Sequence, residues 1–135
     1  MEIIPFTSVG LLTFGETREI LQAQLGTSFS TFQKVAGENE TDSYDNLGLH
    51  LYYDNADRLE FVEAFLPADV TFRGIAFLGR HLEQLVLELR SLGFAPTVSD
   101  VGVRFEGVGI ALAAPYGLVE GVAAHRKGYY SRRVN

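Results

Sequence analysis

The 135-residue chain contains no cysteine, so it can form neither disulfide bonds nor thiolate zinc sites. Its three histidines, His50, His81 and His125, are far apart in the sequence. None belongs to an HExxH-type spacing, which would place two histidines on one helix face. The sequence therefore predicts no metal and no cofactor.

Positive charge is also scarce, since 11 lysines and arginines against 17 aspartates and glutamates leave a net charge of −6. Binding to nucleic acid requires clustered lysine and arginine, which this chain lacks. No apolar run approaches the roughly 20 residues of a membrane span. The opening residues MEIIPFTSVGLL have neither the basic start nor the small-residue cleavage site of a signal peptide. We therefore expect a cytoplasmic protein that binds neither nucleic acid nor membrane.

The clearest local pattern is a β-hairpin between residues 47 and 65. Alternate residues of its first strand are apolar, namely Leu47, Leu49, Leu51 and Tyr53. The residues between them, including His50 and Tyr52, fall on the opposite face. Residues 54–57 supply a polar turn before the return strand. One face of this hairpin is predicted to be core.

Two predicted helices each follow a short apolar segment bounded by glycines. The segment 10–15 leads into a helix that is capped by Thr17 and stopped by Gly26. The segment 74–79 leads into a helix whose apolar residues recur at helical spacing, namely Leu82, Leu85, Val86 and Leu89. Strand candidates follow both helices, at residues 29–35 and 97–105. The order of glycine-bounded segment, helix and strand thus occurs twice along the chain.

This recurrence predicts an α+β protein of two tandem helix-β-β-β repeats, at about residues 7–66 and 70–125 of one domain. A single repeat of some 60 residues would be only marginally stable. We expect the two repeats to share an antiparallel sheet with both helices on one face. Residues 126–135 are basic and are predicted to form a loosely held tail.

Two groups of polar residues are candidates for binding a partner. Residues 37–46 contain four carboxylates and no basic residue, which is typical of a solvated loop or of a surface for a basic partner. The polar face of the hairpin carries His50, Tyr52, Arg58 and Glu60, and tyrosine and arginine combine a large contact area with polar tips. The candidate residues are Glu38, Glu40, Asp42, Tyr44, Asp45, His50, Tyr52 and Glu60.

Catalytic and metal-binding interpretations fit the spacing less well. The acidic loop lacks the ligand pattern of an EF-hand. Glu60 and Glu63 would form a carboxylate pair only if a bulge intervened, because residues three apart on a strand point to opposite faces. The segment 107–109 has neither the third glycine of the dinucleotide fingerprint nor the lysine of a P-loop. We therefore predict that the chain is not an enzyme.

The segment VGLLTFGETREILQAQLG resembles the opening of the SmpA/OmlA and β-lactamase-inhibitor-protein superfamily. The likeness is carried by Gly15, Thr17, Arg18, Glu19, Leu21, Leu25 and Gly26. The tandem arrangement is similar to that of the two-repeat β-lactamase inhibitor proteins, whose concave sheet face binds a partner protein. The stretch from Tyr44 to Leu66, continued by RGIAFLGRHLEQLVLEL, also resembles small bacterial immunity proteins that accompany polymorphic secreted toxins.

The resemblance implies an intracellular immunity protein or inhibitor that occludes the active site of a basic toxin or enzyme. Two alternatives stay open. One is a small-molecule-binding or enzymatic domain with an aromatic pocket between helices and sheet. The other is a structural homodimer that is joined through sheet edges or through a free sheet face.

Overall fold

The structure is a computed structural model that describes residues 1–100 and 102–130. The α-helices are α1 (Arg18–Leu25) and α2 (Leu82–Ser91), and a 3-10 helix spans Asp45–Leu47. The strands are β1 (Ile3–Ile4), β2 (Ser8–Val9), β3 (Leu12–Thr13), β4 (Ser30–Phe32), β5 (Thr41–Tyr44), β6 (Leu49–Tyr53), β7 (Leu59–Ala64), β8 (Thr71–Phe72), β9 (Ile75–Ala76), β10 (Thr97–Ser99), β11 (Gly102–Phe105), β12 (Ile110–Ala113) and β13 (Gly121–His125).

Eight strands form one antiparallel sheet in the order β10-β11-β12-β13-β7-β6-β5-β4. Helix α1 precedes the meander β4 to β7, and helix α2 precedes the meander β10 to β13. The two meanders meet where β7 pairs with β13. The first strand of each meander therefore lies at an outer edge of the sheet.

The prediction of an α+β protein built from two helix-β-β-β repeats is wrong. The chain is β-rich, and each helix is followed by four strands of the eight-stranded sheet instead of three. The prediction lacks β5 because its sequence, TDSY, has the polar composition of a loop. In the second half, the residues predicted as one strand form the separate antiparallel strands β10 and β11.

The predictions for the two helices are confirmed in their main features. The Thr17 hydroxyl accepts a hydrogen bond from the Ile20 amide, and Gly26 ends α1 with a φ of 92°. In α2, Leu85 and Leu89 of the predicted apolar stripe are buried. The helix caps and the buried apolar residues are thus at the positions that the sequence predicts.

Both helices begin against the turn of a strand hairpin through matching backbone contacts. The Gly15 amide donates to the Leu59 carbonyl over 2.8 Å, and the Gly79 amide donates to the Val119 carbonyl over 2.8 Å. Leu59 opens β7, and Val119 lies just before β13. These bonds fix each helix to the last strand of the meander that follows it.

One face of the sheet, called the inner face here, packs against the helices. The predicted core side of the hairpin is confirmed for Leu49, Leu51 and Tyr53, which are buried. It is wrong for Leu47, which is 41% exposed and ends the 3-10 helix before β6. The inner face and the helices share one hydrophobic core that includes Leu21, Leu49, Leu51, Val62, Leu85, Leu89, Leu112, Val122 and Ala124. Among the described residues, no helix is long and apolar enough to cross a bilayer.

Candidate functional site

The opposite face of the sheet, called the outer face, differs between the two meanders. Directly paired residues of antiparallel strands lie on the same face. The register therefore places one row of residues across the outer face: Arg104, Ala111, Ala123, Glu63, His50 and Ser43. Strands β12 and β13 contribute alanine to this row, whereas β6 and β7 contribute histidine and glutamate. Apart from Arg104, the polar and ionisable side chains of this row thus belong to the first meander.

The C-terminal turn covers much of the second half of the outer face. The Tyr129 side chain is buried in a cluster with Phe61 and Ala123. The Arg104 guanidinium lies 4.8 Å from the centre of the Tyr130 ring. The small side chains of the second meander leave room for these two tyrosines.

An ion-pair cluster anchors the start of this turn. Arg126 donates from Nη2 to Oδ2 of Asp54 over 2.7 Å, and the same nitrogen lies 3.7 Å from Oε2 of Glu60. Burial alone would raise the pKa of Asp54, but hydrogen bonds from the Arg58 amide, Arg126 and the Ala56 amide hold it below its usual value. Residues 126–130 of the predicted loose tail are therefore tied to the sheet, and residues 131–135 lie outside the described residues.

In the first meander, His50 stands at the centre of an open group that we call the His50 cup. Its ring centroid lies 5.2 Å from that of Phe32 and 4.7 Å from that of Phe65. Nδ1 of His50 lies 3.1 Å from Oε1 of Glu63, and Nε2 lies 4.0 Å from Oδ1 of Asp45. The His50 cup is defined by these five residues, and it combines two aromatic walls with two carboxylates.

The His50 cup is accessible from solvent. Phe32 is 36% exposed, and the side chains of Glu63 and Asp45 are 36% and 78% exposed. Ser43 also borders the cup, and its hydroxyl donates to Oδ1 of Asp45 over 2.7 Å. The position of the Asp45 carboxylate is thus set by a hydrogen bond while most of its surface remains free.

Beside the His50 cup, Tyr52 and Phe61 are covered by Lys34. The Lys34 ammonium lies 5.0 Å from the Tyr52 ring centre and 6.0 Å from that of Phe61, within the range of cation–π attraction. The Tyr52 hydroxyl is 3.4 Å from Oε1 of Glu63. Burial, and next the Glu63 charge, raise the pKa of Tyr52 above its usual value, so the phenol remains a hydrogen-bond donor at neutral pH.

The predicted acidic loop is divided between the two faces of the sheet. Asp42 and Tyr44 belong to β5 and point to the inner face, where both are buried. Glu40 and Asp45 are exposed, and Glu38 is partly buried. The loop is also held to the body, because the Asn39 amide donates to the Asp54 carbonyl over 2.9 Å. Only part of the predicted acidic surface can therefore meet a partner.

The Asp42 carboxylate is neutralised by Arg18 of helix α1. Arg18 donates from Nη1 to Oδ1 of Asp42 over 2.7 Å, and Gln22 donates to Oδ2 over 2.9 Å. Burial alone would lower the pKa of Arg18, but its hydrogen bond to Asp57 and the charges of Asp42 and Asp57 raise it. Asp42 thus joins the helix to the sheet.

A bulge separates Glu60 from Glu63. Tyr52 pairs with Phe61 while Tyr53 pairs with Leu59, so Glu60 is the extra residue on its strand. Glu60 is buried near Arg126, whereas Glu63 contacts His50. The bulge that a carboxylate pair would require is present, yet the two carboxylates take part in different contacts.

Several residues of the outer face were not among the predicted site residues: Phe32, Lys34, Phe65, Arg104 and Tyr129. The alternation of the predicted return strand would have placed Phe65 beside Glu63 and His50, because residues 61, 63 and 65 fall on the same face of an extended segment. No local signal places Lys34 or Tyr129 there, since each reaches the outer face from outside the central hairpin.

In the described part of the chain, histidine, aspartate and glutamate form no group of three that could hold a metal ion. A groove of about 450 Å³ lies beside the C-terminal turn and is lined by Arg104, His125, Tyr129 and Tyr130, among others. Comparisons of the chain with models of protein families, with curated proteins and with solved structures found no match.

Proposed function

We propose that this chain is a non-catalytic protein-binding module, an immunity protein or inhibitor of the cytoplasm that covers the active site of a partner protein. The observation that carries the proposal is the open His50 cup on a sheet whose other half is partly covered by the chain's own C-terminal turn. The likeness of residues 44–66 to immunity proteins of toxin systems supports the same function.

The chemistry of the outer face suits a protein interface. Aromatic rings with polar tips provide large contact areas at low cost in side-chain entropy, and they are enriched at the centres of such interfaces. Phe32 and Phe65 each contact His50. Phe32 and His50 belong to strands β4 and β6 of one sheet, and Phe65 directly follows β7. A partner would therefore meet an ordered surface and would not have to order it on binding.

The charge distribution favours a basic partner. Asp45 and Glu63 lie in the cup, and Glu40 is exposed near the same edge of the sheet. The chain as a whole carries a net charge of −6. Such a field accelerates the encounter with a basic toxin or enzyme and disfavours acidic competitors.

A second candidate function, the binding of a small molecule, is favoured by the groove beside the C-terminal turn. Its volume of about 450 Å³ is that of a ligand pocket, and Arg104 and Lys127 supply positive charge. A screen of acidic metabolites by thermal shift tests this function, because a ligand that binds only the folded state raises the melting temperature.

Affinity capture from a lysate of the source organism, with purified chain as bait, tests the main proposal. The informative variant is the double substitution F32A/E63K in the cup, and the matched control is L87A/E83K on α2, where Leu87 is 68% exposed. Both variants should give the wild-type circular dichroism spectrum.

We expect the wild type and the α2 control to retain one partner, whereas the cup variant loses it. The purified partner should then form a 1:1 complex and lose its own activity in it. A partner that binds both variants equally, or that keeps full activity in the complex, contradicts the proposal.

A further inference from the structure

The His50 cup points to a specific chemical group on the partner. We propose that it binds an arginine side chain, with the guanidinium against Asp45 and Glu63 and its flat faces against the aromatic walls. This inference rests on the proposed function, because the arginine belongs to the partner protein that the outer face binds.

The cup carries net negative charge in either protonation state of its histidine. Within residues 1–100 and 102–130, the ion pairs of Asp45 and of Glu63 are formed with His50 alone. Two carboxylates facing one imidazole leave a charge of about −2 if the ring is neutral and about −1 if it is protonated. A cation from outside can therefore complete the cup.

The walls of the cup favour guanidinium over other cations. Phe32 and Phe65 lie on opposite sequence flanks of the hairpin, and their ring centroids are 5.2 Å and 4.7 Å from that of His50. A planar guanidinium can stack on aromatic rings while it donates two parallel hydrogen bonds to a carboxylate. An ammonium can do only one of these at full strength, because it is compact and strongly hydrated.

The chain itself shows that aromatic rings on this face accept a cation. The Lys34 ammonium covers Tyr52 at 5.0 Å, directly beside the cup. Elsewhere in the protein, Arg18 stacks on Tyr53 with 4.0 Å between the guanidinium carbon and the ring centre, while it pairs with Asp42 and Asp57. The His50 cup offers the same combination of ring and two carboxylates, but without an arginine of its own in the described residues.

A titration of the full-length chain with the tripeptide amide acetyl-Gly-Arg-Gly-NH₂, followed by NMR, tests the inference without the partner. The control ligand is acetyl-Gly-citrulline-Gly-NH₂, which keeps the planar shape and lacks the charge. We expect the arginine peptide to shift the side-chain resonances of Phe32, His50 and Phe65 saturably, with a dissociation constant in the millimolar range (on the order of 1 mM) that a single side chain can supply.

The variants E63Q and D45N should each weaken this binding by about fivefold, the size of one partly exposed ion pair. The matched control E83Q on α2 should leave it unchanged. Saturable shifts at the cup that are equal for arginine and citrulline would overturn the inference, and so would the absence of shifts there.

The two proposals fail separately. If the arginine peptide binds the cup but the F32A/E63K variant still captures the partner, the cation site is supported and the partner-binding function is contradicted. If the cup variant loses its partner while the arginine peptide gives no saturable shift, the function stands and the arginine assignment is wrong.

Discussion

The carboxylate of Asp42 is 0% exposed, and the guanidinium of Arg18 on the neighbouring helix lies 2.7 Å from it. A buried carboxylate without a partner would be strongly destabilising, so this contact is what permits β5 to place an aspartate on the inner face. It also explains why an acidic stretch that predicts a solvated loop forms an interior strand of the sheet instead.

Replacing Arg18 with methionine should destabilise the protein by about 3 kcal/mol, because the substitution leaves Asp42 buried without its cation. The double variant R18M/D42N should regain at least half of that loss, since it removes the charge as well. Urea denaturation of the wild type, both single variants and the double variant measures the coupling. A loss below about 1 kcal/mol for R18M would show that Arg18 does not neutralise Asp42.

Acidification should destabilise the fold through His125. Burial among aromatic rings, together with the charge of Arg104, lowers the pKa of His125, while its Nδ1 donates to the Arg126 carbonyl. The unfolded chain therefore takes up a proton first, at a pH near 6.5, and stability falls from there toward the lower pKa of the folded state.

The measurement for His125 is the free energy of unfolding between pH 8 and pH 5 for the wild type and H125Q. The glutamine variant should be less stable at pH 8, because it loses ring contacts, but it should show a smaller decline on acidification. Parallel curves for the two proteins would contradict the buried, neutral state of His125.

Alkaline conditions should destabilise the fold through Tyr44. Burial, and then the charge of Asp42, raise the pKa of Tyr44 to about 12. The unfolded tyrosine ionises near pH 10, so the stability that Tyr44 contributes is full below pH 10 and is lost from there up to pH 12, by an amount of the order of 2 kcal/mol. The variant Y44F should decline less over this range. If phenolate absorbance shows all six tyrosines titrating together near pH 10 before unfolding, the account of Tyr44 is wrong.

Charge reversal should separate binding from folding. The double variant E40K/D45K changes exposed side chains, so it should keep the wild-type stability and slow association with a basic partner by about tenfold or more at low salt. High salt should remove most of the difference. Stopped-flow association measures both effects, with E19K/E83K, which reverses two exposed charges on the helices, as the control for general loss of negative charge.

The single variant D42K provides a contrast with E40K/D45K. It should unfold the protein, because a lysine at this position would face Arg18 inside the core. A folded D42K would show that β5 can turn its polar face outward.

The central hairpin and both helices could be predicted because their information is local. Period-two alternation defines β6, and the helical spacing of apolar residues defines α2. These patterns depend on residues within one element, so the chain displays them without any knowledge of tertiary contacts.

The features that the sequence did not reveal depend on distant partners. Asp42 is neutralised by Arg18, which is 24 positions earlier, and Arg126 pairs with Asp54, which is 72 positions earlier. Lys34 and Tyr129 reach the outer face from separate segments. No local pattern specifies such contacts, so composition predicted solvated segments for the acidic stretch and for residues 126–130, which the structure ties to the sheet.

The most direct test of partner binding by the outer face is hydroxyl-radical footprinting of the chain alone and in complex with the captured partner. Phe32 and Phe65 report on the cup, and Tyr116, which is 89% exposed in the turn between β12 and β13, serves as the internal control. The account predicts that oxidation of Phe32 and Phe65 falls severalfold in the complex while oxidation of Tyr116 is unchanged. Protection of Tyr116 with unaltered oxidation of Phe32 and Phe65 would contradict it.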